Sequence, residues 1–189
     1  MTKRHFLTTL SLAIGSAPIA SSNLFGPNLK NHDPVKGIPD AWVKAKGMEV
    51  LEYANFIQDL NLKNITPRMV ISPHFKTRGH VHNTLPPKAE WVAMEKTLKA
   101  VDHLVVKLES PLTNIASAYR CPKYNRAVGG APKSFHMQNI ALDIQFKNVS
   151  PHHVFYVANQ LRKEKSFCGG LGRYATFVHL DTRGRNDTW

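Results

Sequence analysis

The clearest hydrophobic pattern in the chain is helical. Between Glu90 and Leu108, the residues Trp91, Met94, Leu98, Val101, Val105 and Leu108 recur three or four positions apart. That spacing lays one apolar stripe along a helix, and Ser110-Pro111 ends it. A second helix is predicted from Pro151 to about Lys163, with Ser150 as a good N-cap and proline at the first helical position. A third is predicted from Asp40 towards Leu62. Met48, Leu51, Phe56 and Leu60 give it a rough apolar face, which Gly47 weakens.

Three runs alternate with period two and read as strands. In Ile115 to Arg120, the residues Ile115, Ser117 and Tyr119 alternate with Ala116, Ala118 and Arg120. In Ile140 to Phe146, the set Ile140, Leu142, Ile144 and Phe146 opposes Ala141, Asp143 and Gln145. In Thr176 to Asp181, Val178 and Leu180 oppose Phe177, His179 and Asp181. Gly169-Gly170 marks a turn between the last helix and the last strand. Residues 65–87 hold four prolines and three histidines without a clean period. They read as an irregular loop with a short helix after Thr66-Pro67. Helices come first and strands follow, broken by one helix. The expected fold is α+β, a small antiparallel sheet flanked by helices.

The beginning of the chain stands apart. Lys3 and Arg4 precede an apolar run from Phe6 to Ile19 and small residues around Ala17 and Ala20. This is the layout of a signal peptide over residues 1–22, too short to anchor in a bilayer. Thr2-Lys3-Arg4-His5-Phe6-Leu7 resembles a twin-arginine export signal; an ordinary secretory signal fits as well. Residues 23–39, with three prolines and two glycines, read as a linker or extended arm. The rest, 40–189, is long enough for one domain with a real core. No later run is long and apolar enough to cross a membrane. An exported, periplasmic or wall-associated location is expected, and a monomer.

The net charge is +12, and without residues 1–22 it is about +10, from 23 basic and 13 acidic residues. A basic surface favours anionic partners. No RNA-binding signature and no basic helix with interleaved aromatics is present, so nucleic acid is not expected. The two cysteines, Cys121 and Cys168, do not form a Cys-x-x-Cys pair. In an oxidising compartment they either stay as thiols or close one disulfide worth about 3–4 kcal/mol on the chain-entropy model.

The remaining chemistry lies in His136, Asp143 and His179. Two histidines and a carboxylate are a common zinc set that leaves a fourth position for water. The strand pattern puts Asp143 and His179 off the most apolar faces, and His136 lies in a loop seven residues before Asp143. Ten histidines are present, and His103, His152 and His153 read as surface residues.

Longer motifs surround these three. Ser134-x-His136-x-x-Asn139-x-Ala141-x-Asp143 resembles the Ser-x-His-x-x-Gly-x-Ala-x-Asp motif of the D-Ala-D-Ala carboxypeptidase family of zinc murein peptidases. Ser117-Ala118-Tyr119-Arg120, Tyr124 to Gly130, Gly170 to Tyr174 and Val178 to Asp181 are similar to further segments of that family, in the same order over roughly 65–185. The resemblance implies a Hedgehog/DD-peptidase-like fold and a Zn2+ ion on His136, Asp143 and His179. It further implies that Arg120 binds substrate and polarises the scissile carbonyl, and that the substrate is peptidoglycan stem peptides or cross-links.

There are two departures. Asn139 replaces a glycine; asparagine tolerates left-handed backbone better than most residues. The family's acidic residue or histidine shortly before the last ligand is replaced by Thr176 and Phe177, neither of which accepts a proton. Asp181 is the nearest substitute, two residues beyond His179 on the same strand face and about 7 Å along it. It is either the catalytic base or a carboxylate that supports a ligand. His80 and His82, beside the Asn83 to Pro87 loop, are further candidates for a substrate contact. The motifs imply a zinc peptidase of the cell wall. The alternative is a non-catalytic, zinc-stabilised wall-binding module, because the Hedgehog signalling domain shares the fold and acts by binding.

Overall fold

Gly47 divides the first predicted helix. In the computed structural model, which describes residues 33–189, α1 (Asp40–Lys46) and α2 (Met48–Asp59) meet at this glycine, whose φ is 62°. A helix cannot continue through that backbone, and glycine takes it at no steric cost. α3 (Pro67–Ile71) begins as expected, with the Thr66 hydroxyl accepting from the Met69 N–H. A 3-10 turn, Ser72–Phe75, then leads into a short hairpin of β1 (Thr77–Arg78) and β2 (Val81–His82). The Trp91 to Leu108 stripe folds in two parts: a 3-10 stretch, Lys88–Met94, followed by α4 (Glu95–Leu108).

The rest of the chain builds the sheet. β3 (Leu112–Ser117), α5 (Pro122–Ala127), β4 (Ala141–Phe146), α6 (Pro151–Lys163), β5 (Gly170–Arg173), β6 (Val178–Asp181) and β7 (Asp187–Thr188) follow in order. The Ser150 hydroxyl caps α6 by accepting from the His153 N–H. The strands lie in the order β3-β4-β6-β5-β7. All neighbours are antiparallel except β5 and β7, which are parallel. The fold is thus α+β with a small, mainly antiparallel sheet.

Sequence reading misplaced two features here. β3 ends at Ser117, because residues 118–121 leave the sheet to bond elsewhere. Gly170, read with Gly169 as a turn, begins a strand that runs to Arg173. Its Gly-Leu-Gly-Arg sequence lacks the alternating side chains that reveal a strand, since other residues pack where those side chains would be.

One face of the sheet carries Leu142, Ile144, Phe146, Val178 and Leu180, and α4 and α6 cover it with Leu98, Val101, Leu104, Val154, Ala158 and Leu161. Register pairs Leu142 with Leu180 and Ile144 with Val178. The predicted signal, residues 1–22, and most of the arm lie outside the described residues. Residues 33–39 form a turn whose Ile38 is buried in the core. Among the described residues no helix is long and apolar enough to cross a membrane. Cys121 and Cys168 are free thiols.

The 3-10 turn buries His74 between Tyr53 and Tyr119. Burial outweighs its weaker neighbours and lowers its pKa from 6.5 to about 3. The unfolded chain therefore binds a proton that the folded chain refuses. This contribution to stability is complete above pH about 6.5. It is lost as pH falls towards about 3, by up to about 1.4 kcal/mol per pH unit. The variant His74→Phe keeps an aromatic ring there and does not titrate. Its melting temperature is expected to fall less than the wild type's between pH 7.5 and pH 4.5; parallel thermal curves would exclude this role.

Candidate metal centre

Across the other face of the sheet runs a row of four residues. Register places Ser117 opposite Asp143, Asp143 opposite His179, and His179 opposite Gly172. Cross-strand partners stand about 5 Å apart, so three adjacent strands supply a hydroxyl, a carboxylate and an imidazole side by side. His136 joins them from a 3-10 turn, Phe135–Gln138, whose first N–H groups are met by the Ser134 hydroxyl. The turn ends at Asn139 with φ 54° and ψ 38°, so asparagine does take the left-handed backbone where the related motif has glycine. Its side chain also donates to the Glu90 carbonyl at 2.9 Å, an anchor that glycine lacks.

The three donor atoms form a tight triangle. His136 Nε2 lies 3.2 Å from Asp143 Oδ1 and 3.2 Å from His179 Nδ1, and His179 Nδ1 lies 2.9 Å from Asp143 Oδ1. Zinc bonds of about 2.0–2.1 Å in a tetrahedron separate the ligand atoms by about 3.3 Å, and the triangle matches that face.

The outer nitrogens decide the tautomers. His136 Nδ1 is 2.7 Å from the Ala118 carbonyl, which only accepts, so that nitrogen carries the proton. His179 Nε2 donates to Asp181 Oδ2 at 3.0 Å. Both inner nitrogens therefore present lone pairs towards each other and towards a carboxylate oxygen. Three converging lone pairs in a buried site call for a cation, and the residues fit zinc.

The electrostatics keep Asp143 charged and His136 neutral. Burial would raise the Asp143 pKa, but His136 and His179 outweigh it and hold the carboxyl well below its usual range. Burial lowers His136, against the pull of Asp143. Burial would also lower His179, but hydrogen bonds to Asp143 and Asp181 outweigh it and raise its pKa.

A family model described as Peptidase M15 matches residues 65–181. The chain belongs to the peptidase M15 family. No curated protein and no solved structure matches it significantly. M15 members are zinc peptidases of D-Ala-D-Ala carboxypeptidase type, and the matched span contains His136, Asp143, His179, Arg120 and Asp181. In this M15 chain the three residues assigned to the metal by resemblance are the group able to hold one.

Arg120 stands at the rim. Its Nε donates to Ser117 Oγ and its Nη2 to Asp143 Oδ2, each at 2.7 Å. Nη1 has no partner among the described residues, and Arg120 lines an open cleft of about 480 Å³. Asn83 fixes the backbone on both sides of this arginine. Its amide donates to the Tyr119 carbonyl at 2.8 Å and its oxygen accepts from the Cys121 N–H at 3.0 Å. This is what the Asn83 to Pro87 loop contributes. His80 and His82 are exposed and do not line the cleft.

Asp181 does not face the cleft. It is wholly buried behind His179. Oδ2 takes His179 Nε2 and Arg183 Nη2; Oδ1 takes Arg183 Nε and the N–H groups of Gly170 and Arg183. Burial would raise its pKa, but these donors hold it well below the usual carboxylate range. Of the two readings of Asp181 made from sequence, the geometry fits the carboxylate that orients His179. As a base it is a poor fit, because it has no free lone pair directed at the cleft. Gly170 makes the arrangement possible, since a Cβ there would lie 2.5 Å from Asp181 Oδ2.

Sequence reading missed Arg183, Trp189 and Lys76. Arg183 stacks on Phe135 with its guanidinium 4.0 Å from the ring centroid. The Trp189 ring lies 5.2 Å from that of His179 and its indole N–H donates to the Tyr174 hydroxyl. A Cβ at Gly172 would lie 2.5 Å from the Trp189 indole nitrogen. For Arg183 and Trp189 the one hint was the Gly-x-Gly of β5, since glycine in a strand marks a close approach without saying by what.

Proposed function

We propose that this M15 chain is an exported zinc peptidase that hydrolyses peptide bonds of bacterial peptidoglycan, in stem peptides or cross-links. The observation that carries the reading is the set of three inward lone pairs beside an arginine with one free end. A zinc ion there would supply a Lewis acid and a water that ionises near neutral pH. The protein's own work is positional. Asp181 and the Ala118 carbonyl hold the two imidazoles in the ligand tautomers. Ser117 and Asp143 hold Arg120 in the cleft wall and leave Nη1 free, and its N–H groups stabilise charge developing on the substrate carbonyl oxygen. The basic charge of the chain suits an anionic wall polymer.

A second reading has one observation in its favour. The cleft is lined by one carboxylate besides Asp143, namely Asp187, and its oxygens accept from Arg183 and from the Thr188 N–H. A cleft whose second carboxylate is tied to Arg183 and to Thr188 fits a zinc-stabilised wall-binding module.

Digestion of isolated sacculi separates the two. New muropeptides, read by mass spectrometry, are expected with the purified protein. They are expected to vanish with a zinc chelator and with His136→Ala. Sacculi that bind the zinc-loaded protein and remain uncut would leave the binding module and end the peptidase reading.

A further inference from the structure

Beside the metal centre, on the far side of Arg120, lies a smaller pocket of about 220 Å³. It shares Arg120, Asp143, Val128 and Phe177 with the main cleft and adds Lys76 and Tyr124. Lys76 follows the buried 3-10 turn. Its backbone is held by hydrogen bonds from its N–H to the Pro73 carbonyl and from the Asn83 N–H to its own carbonyl. The side chain crosses to β3, where the ammonium donates to the Ala116 carbonyl at 2.6 Å.

This ammonium has no ion-pair partner among the described residues. The nearest charges are Asp143 and Arg120. Asp143 is already committed: Oδ1 serves His136 and His179, and Oδ2 serves Arg120. No other acid lines the pocket. Two cations therefore line a pocket whose one carboxylate is spent, and the Lys76 ammonium keeps two unused N–H donors. The missing element is an anion with two acceptor oxygens. The volume admits a carboxylate with the few atoms that carry it and excludes a second peptide strand.

We propose that Lys76 is a specificity-determining residue that binds a free carboxylate of the substrate peptide, next to the bond that is cut. The proposal rests on the peptidase reading above. It makes a peptide acid, rather than a fully amidated peptide, the preferred substrate. Two carboxylates share this chemistry: the C-terminal one and a free carboxylate within the stem peptide.

The test uses the purified full chain, loaded with zinc, and synthetic stem peptides ending in D-Ala-D-Ala. In one set the last amide is N-methylated to block cleavage, and binding is followed by calorimetry. The peptide is supplied as the acid, as its C-terminal amide, and with only its internal carboxylate amidated. Amidation at the recognised position is expected to weaken binding about ten- to hundredfold, as loss of a charge-assisted hydrogen bond implies. The position that matters names the carboxylate. Lys76→Met is expected to bind the acid as weakly as the amide, with amide binding unchanged; Lys76→Arg restores most of the preference. Lys133→Met, which removes the cation at the other end of the cleft, is expected to keep it.

Equal binding of acid and amide by the wild type, or an unchanged preference in Lys76→Met, overturns the proposal. So does a preference lost in Lys133→Met instead. Unblocked peptides separate this failure from that of the peptidase reading. Cleavage with the same KM for acid and amide removes the subsite and keeps the enzyme. Selective binding through Lys76 without cleavage removes the enzyme and keeps the subsite.

Discussion

Asparagine in place of Asp143 is expected to empty the metal centre and abolish hydrolysis. Asp143 is the hub of the site: one oxygen meets both imidazoles and the other holds Arg120. The substitution keeps the size of the side chain and removes its charge. Zinc then loses its anionic ligand, and its Lewis acidity leaves with it. Arg120, four-fifths buried, loses its ion pair in the same step and is no longer aimed at the cleft. Loss of several kcal/mol of charge stabilisation corresponds to a fall of at least about 10³-fold in turnover. Metal analysis after dialysis against buffered zinc is expected to fall from about one ion per chain to near none. A variant that retains one zinc and wild-type turnover would remove Asp143 from the site.

The second large effect is expected from Asp181→Asn, a residue that touches neither the cleft nor the metal position. Asp181 makes a two-point ion pair with the buried guanidinium of Arg183 and accepts the outer proton of His179. Removing one partner of a buried pair costs about 3–5 kcal/mol, because the remaining charge is left unmatched. The outer partner of a metal-bound histidine typically changes metal affinity by about 10–100-fold. Two readouts are therefore expected to move together: a lower melting temperature in zinc-free protein and a zinc dissociation constant raised by about one to two orders of magnitude. Turnover at saturating zinc is expected to fall far less than in Asp143→Asn. A collapse of turnover at full zinc occupancy, with a shifted pH profile, would instead make Asp181 the proton acceptor.

The sequence carried a good part of this molecule openly. Periodicity located α4, because a helix that covers a sheet must repeat its apolar residues every three or four positions, and the Ser150-Pro151 start located α6. Alternation located β4 and β6, because each buries one face and offers the other. The same alternation put Asp143 and His179 off the hydrophobic face, and the motifs around His136 and Arg120 drew the family's site. Asn139 in the left-handed region was legible from the glycine of the related motif and from asparagine's tolerance of that backbone.

Other features depended on contacts between distant parts of the chain. β5 is nearly bare of side chains because Asp181, Arg183 and Trp189 occupy the space beside Gly170 and Gly172, and no local pattern announces residues that arrive from elsewhere. Asp181 lies on the same strand face as His179 in any reading of the sequence. Whether it faced water or a buried guanidinium depended on where Arg183 folded. Lys76 is an exposed lysine like many others, and only the fold shows that the turn before it carries its ammonium across to β3. Residue types and their periods located most of the elements, and the motifs pointed to the family and its candidate ligand set. The tertiary structure decided which nitrogen of each histidine faces the site, what each carboxylate is bonded to and where the Lys76 ammonium is held, because each of these depends on a neighbour distant in the chain.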